Sequence, residues 1–206
     1  MKLLLLPSIT LLIVVLNHNL RKNKVGTESA RTLLEREDAA NATRRKDISG
    51  LPYIQVPLDT LPLDITLNDE KKQSKFLDYR QKILELSEKQ MLNLIGISNT
   101  ELKEQYGPAN LEQLTICDQN YSLYIRTLHL LAENIYDEYP DLAVKIEEYC
   151  LSIGTDISGT YDLLGRHYLS THNQEKFMKL YDYVPVPDSI AGKTIIRKLD
   201  TLKDEF

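Results

Sequence analysis

The chain predicts an all-α fold, and three observations carry that prediction. From Asn68 almost to the C-terminus, apolar residues recur at intervals of three and four. Gly and Pro fall between the periodic stretches, at Gly96, Gly107, Pro140, Gly154 and Pro185. Capping residues precede several stretches, as in Asn68-Asp69-Glu70 and Ser98-Asn99-Thr100-Glu101. The full expected architecture is an N-terminal transmembrane helix over 1–20, a basic juxtamembrane stalk helix over 21–50, an extended proline-containing segment over 51–66, and antiparallel helical hairpins over 67–206.

The first element rests on Leu3 to Leu16, LLLLPSITLLIVVL, which carries no charge. At the helical rise it spans about 21 Å, short of the hydrocarbon core at about 30 Å. Met1 and Asn17–Leu20 extend it, and Arg21, Lys22 and Lys24 are the expected membrane-surface residues, snorkelling to the interface. The alternative is a cleaved signal peptide, whose apolar region has this length. The following NHNLRKNK offers no small-x-small site, so the expectation is an uncleaved, single-pass anchor in the cell membrane. Arg21, Lys22, Lys24 and Arg31 outnumber Lys2 and the α-amine, which by the positive-inside rule keeps the body cytoplasmic.

The stalk reads TESARTLLEREDAANATRRKD from Thr27 to Asp47, with good helix formers, mixed charges and few large apolar residues. In LPYIQVPLDTLPLDI, Pro52, Pro57 and Pro62 recur every five residues. Each removes a backbone donor and biases its predecessor to extended geometry, so the segment is no regular helix. It is too apolar for a free linker, and is expected to lie across the helical body and bury Tyr53, Ile54, Val56 and Leu58.

Helices follow in order. Asn68 caps a helix with Phe76, Leu77, Ile83, Leu84, Met91 and Leu94 at helical spacing. SNTELKEQYG marks both ends of a short helix, with Gly107 past its end and Pro108 beyond. Asn120 to Tyr139 is the clearest helix, its stripe formed by Tyr121, Tyr124, Ile125, Leu128, Leu131, Ala132 and Ile135. Pro140 breaks it, Leu142–Ile153 pairs with it, and Gly154 ends the pair. Tyr161–Leu169, Gln174–Tyr183 and an amphipathic helix from about Asp188 complete the chain. Capping by Asp156 or Ser158 accounts for the small polar run at 154–160.

Tyr161, Leu164, Gly165 and Tyr168 match the first-helix signature of the tetratricopeptide repeat, with Phe177 and Tyr181 at the next key positions. Leu128, Leu131, Ala132 and Ile135 fill equivalent positions upstream, and Ala143, Cys150 and Leu151 fill second-helix positions. Tyr121 to Tyr183 therefore resembles a pair of degenerate tetratricopeptide-like hairpins. Phe177 stands where that family prefers a small residue, and the proline ending each repeat is missing. The layout is also similar to small uncharacterised bacterial proteins with an N-terminal anchor. The repeat resemblance implies a concave protein-binding groove, on which Arg126, His129, Glu133, Tyr136, Asp162 and Arg166 would fall.

Composition and motifs narrow the function. The 206 residues are 42% hydrophobic and 27% charged, ordinary for a globular body. The net charge is −5, made up of +1 from Lys2, +3 over Asn17–Gly50 and −9 over Leu51–Phe206, which argues against nucleic acid as partner. The two cysteines, Cys117 and Cys150, lie in apolar-periodic surroundings and read as buried free thiols. None of HExxH, CxxC, GxSxG or GxxxxGK[ST] occurs, and the four histidines lack zinc-ligand spacing. The expected function is a membrane-anchored, non-catalytic adaptor or scaffold domain with an unidentified protein partner, no cofactor, no metal and no evident small-molecule substrate. The alternatives are a structural accessory subunit of a membrane complex and an enzyme built from dispersed residues.

Overall fold

A computed structural model describes residues 29–204. Among them are eight α-helices and two short 3-10 helices, and no strand. The first helix, α1, covers residues 29–41. The others are α2 (Glu70–Ser87), α3 (Asn99–Tyr106), α4 (Leu111–Ile135), α5 (Pro140–Ser152), α6 (Ser158–Ser170), α7 (Gln174–Lys179) and α8 (Ile190–Lys203), with 3-10 helices at Pro108–Asn110 and Leu180–Tyr183. The chain divides into two compact units, Met1–Asp47 with Ser98–Leu111, and Ile48–Ile97 with Glu112–Phe206.

Local chemistry places the helix ends. Asp69, rather than Asn68, caps α2 by accepting hydrogen bonds from the Lys71 and Lys72 backbone N–H groups. Ser98 and Glu101 form a reciprocal capping box on α3. Gly107 ends α3 at φ +84, and a Cβ there would stand 2.7 Å from the Arg44 carbonyl oxygen. Pro140 occupies the first turn of α5, where its missing N–H costs nothing. No side chain caps α6; its N-cap residue is Ile157, so the expected role of Asp156 or Ser158 is not seen, and Thr155 Oγ1 accepts from Ile157 N instead.

The first unit is stitched by polar contacts. Arg36 on α1 makes a two-pronged ion pair with Glu104 on α3, at 2.7 and 2.8 Å. Glu37 accepts from Lys103 and from Thr100. Buried Asn110 donates to the carbonyls of Lys46 and Tyr106 and accepts from Arg45. Ala40 and Leu102 are its buried apolar side chains along the two helices.

The second unit holds two hydrophobic clusters. One gathers Phe76, Ile83 and Leu86 of α2, the stripe of α4 from Tyr121 to Ile135, and Ala143, Ile146 and Cys150 of α5. Leu61 and Leu63 of the proline-containing segment, and Leu67 just after it, join it. That segment is extended; Tyr53, Ile54 and Val56 are half-buried, while Leu58 is exposed. The other cluster joins Val144 and Leu151 of α5 to Tyr161, Leu164, Tyr168, Phe177, Leu180, Ile195, Leu199 and Leu202. Helix α5 thus carries two apolar faces, one in each cluster.

The N-terminal expectations require correction. Among the described residues no helix is long and apolar enough to cross a membrane. The longest, α4, is interrupted by Glu112, Asp118, Arg126 and Glu133. The expected transmembrane helix, the single-pass cell-membrane location and the membrane as partner therefore find no support; residues 1–20, with Arg21, Lys22 and Lys24, lie outside the described residues. Helix α1 is no free stalk, because Arg36 and Glu37 tie it to α3. The tetratricopeptide reading is corrected too. Helix α7 runs only six residues before tightening into a 3-10 turn, too short for the second helix of a repeat. Gly165 instead admits α8, since a Cβ there would stand 2.7 Å from Leu202 Cδ1. What remains is an all-α fold with paired helix–helix packing.

Candidate functional site

The one buried ionic constellation among the described residues lies in the second unit, where α4, α5 and α6 meet. His129 and Glu147 fall on the apolar stripes of their helices. His129 follows Ile125 by four residues and precedes Ala132 by three; Glu147 stands likewise between Ala143 and Cys150. Both are carried inward by that register, leaving His129 8% and Glu147 0% exposed. A charge taken that far from water needs a partner. His129 Nδ1 and Glu147 Oε1 are 2.5 Å apart.

The remaining surroundings are tight. Glu133 Oε1 lies 3.6 Å from His129 Nε2. A Cβ at Gly159, in the first turn of α6, would collide with the Nε2–Cε1 edge of the imidazole. Glu147 Oε2 and the hydroxyl of fully buried Thr160 have no hydrogen-bond partner among the described residues. Burial works against the charged imidazolium, but the hydrogen bond and charge of Glu147, helped by Glu133, outweigh it against Lys198. The His129 pKa is raised from its ordinary value.

Gly159 lies against the Nε2–Cε1 edge of the ring, and Glu133 approaches Nε2 from the solvent side. The two cysteines are also inward: burial pushes the thiol pKa of Cys117 up and that of Cys150 well up. Among the described residues no group of three or more His, Cys, Asp or Glu side chains is placed to hold a metal ion. A cleft of about 280 Å³ lies between Glu148, Tyr168, Lys176 and Lys179. Its charges are already satisfied: Glu148 accepts from Lys176 at 2.7 Å and from Tyr168 at 2.8 Å, and Lys179 pairs with Glu175.

The six residues expected on a groove are dispersed. Arg126 is exposed on α4 and Glu133 is exposed one heptad on. His129 turns inward between them. Tyr136 is half-buried, its hydroxyl 3.2 Å from His167 Nδ1. Asp162 and Arg166 pair with each other along α6 at 3.0 Å. Only His129 with Glu133, and Asp162 with Arg166, are brought together. Glu147 was not foreseen, although a glutamate on the Ala143–Ile146–Cys150 stripe is a readable signal of a buried charge.

A different row emerges on α4. Ile116, Leu123 and Leu130 recur every seven residues and are 50%, 40% and 37% exposed. Arg126 stands between the last two, on the same side. No protein-family model, no curated protein and no solved structure matches the chain.

Proposed function

We propose that the chain is a non-catalytic protein-interaction domain that binds an amphipathic helix of a partner protein along the outer face of α4. The observation that supports this reading is the exposed row Ile116, Leu123 and Leu130. Seven-residue spacing keeps three large side chains on one side over about 21 Å of helix, the register along which a second helix packs. Arg126 gives the row a cationic point, so the partner helix is expected to place a carboxylate beside it. Each apolar side chain withdrawn from water by such a helix contributes about 25 cal/mol per Å² covered.

A photo-crosslinking amino acid placed at Leu123, and in a control at Glu175 on α7, tests the assignment. The expected result is an adduct from position 123, mapping to an amphipathic helix, that disappears with Arg126→Glu. Equal labelling from both positions, or labelling indifferent to Arg126→Glu, would overturn it.

A further inference from the structure

We propose that His129 and Glu147 form a proton-dependent latch that holds the start of α6 against α4 and α5 and releases it as pH rises. The inference stands on geometry within the second unit and is independent of what the α4 face binds. Three helices converge on one imidazole. Helix α4 supplies the ring, α5 supplies a carboxylate that is wholly shielded from solvent, and α6 seats its first turn on the ring edge through Gly159. A Cβ at position 159 would collide with His129 Nε2, so any larger residue there would have to displace the ring, and α6 approaches α4 through this contact with no side chain between them.

The latch also sits at a structural seam. Ala143, Ile146 and Cys150 of α5 face one hydrophobic cluster, while Val144 and Leu151 face the other. Glu147 lies on the same helix between those faces and reaches His129. The link from α5 to α6 is held separately: Asn93 donates to the carbonyls of Ile153 and Gly154, and the Tyr121 hydroxyl donates to Ile153. The Tyr161 hydroxyl lies 3.0 and 2.9 Å from the Thr155 and Tyr183 carbonyl oxygens and shares its one proton between them. Residues 153–155 are therefore a pinned pivot, and the His129–Gly159 contact lies just beyond it.

Protonated His129 satisfies Glu147 as an ion pair. When the ring gives its extra proton to solvent, the fully buried Glu147 side chain loses its cationic partner, and its Oε2 has no other hydrogen-bond partner among the described residues. A buried charge deprived of its counter-charge is strongly unfavourable, and the relief is to let water in. Admitting water means lifting the first turn of α6, where the Thr160 hydroxyl also lacks a partner. The charged groups facing the ring are Glu147 from α5, Glu133 from α4 and, more remotely, Lys198 from α8. On the first turns of α6 the charged groups Asp162 and Arg166 pair with each other. The sign follows from the raised imidazole pKa. The stabilisation is complete below the ordinary histidine value and is lost as pH rises through the folded-state value.

The test is an NMR titration of the His129 ring in the full chain, run beside hydrogen exchange of α4 and α6 corrected for intrinsic rates. The expected result is titration above the free-imidazole value, with α6 protection falling at least about tenfold relative to α4 across the same transition. In Glu147→Gln that pH-dependent loss should vanish. Titration at or below the free-imidazole value, or α6 protection that ignores pH, overturns the latch. So does an unchanged pH-dependence in His129→Gln. If either variant fails to fold, the wild-type titration and exchange decide the matter alone.

Discussion

The two units of this chain are held by opposite means. In the first, α1 and α3 are joined by the Arg36–Glu104 and Glu37–Lys103 pairs and by the bonds of Asn110, with Ala40 and Leu102 as buried apolar side chains. In the second, α2 and α4 to α8 bury two hydrophobic clusters around five fully enclosed aromatics, Phe76, Tyr121, Tyr124, Tyr161 and Phe177. Both carry ion pairs on exposed helix faces, but the second also encloses one, His129 with Glu147, inside its apolar packing. The contrast teaches that charge does different work at different depth. Exposed pairs choose a register at little net energy, while an enclosed pair ties folding to protonation.

The comparison breaks most readily in the apolar core. Leu128→Ala should destabilise the second unit by about 3 kcal/mol, as expected for a cavity under a fully buried leucine, read by denaturant unfolding. A loss under about 1 kcal/mol would mean the core is looser than its burial implies. Next in size is Asn110→Ala, which strands the carbonyls of Lys46 and Tyr106. It should cost about 1–3 kcal/mol, appearing as faster hydrogen exchange over residues 43–47 and α3.

A pH series then sharpens the contrast, because the α1–α3 contacts of the first unit and the start of α6 in the second should loosen in opposite directions. The Glu37 carboxyl is held below its ordinary pKa by the Lys103 and Thr100 hydrogen bonds, and that of Glu104 by its bond to Arg36. Their stabilisation is complete above the ordinary carboxylate value and is lost as pH falls through the lowered values, so acid should loosen α1 and α3. His129, with its raised pKa, predicts the reverse for α6. Hydrogen exchange at both ends of the range checks both signs at once. The smallest effect belongs to Arg126→Glu, which should leave unfolding within about 0.5 kcal/mol of the wild type while abolishing crosslinking from position 123.

Legibility in the sequence followed the range of the interaction. The caps at Ser98 and Glu101, the stop at Gly107, the break at Pro140 and the turn at Gly154 were all readable, because each acts on backbone groups within about one helical turn, though α5 starts at Pro140 itself and not at Leu142. The Asn120–Tyr139 helix was placed, yet its first turns from Leu111 were not, since Glu112, Gln113 and Asp118 dilute the apolar stripe there. The Tyr161–Leu164–Gly165–Tyr168 pattern was misread as a repeat signature. A small residue beneath a crossing helix satisfies any close helix pair, and here the crossing helix is α8.

By itself, then, the sequence determined an all-helical chain, most of its helix boundaries and an extended proline-punctuated segment, because capping, proline geometry and apolar period are local properties of the backbone. Tertiary structure alone decided that α1 is stitched to α3, that Gly165 serves α8, and that His129 meets Glu147 beneath Gly159. Those pairings join residues from 18 to 68 positions apart. They depend on which helix faces are left to pack once each local segment has formed, and no local rule encodes that choice.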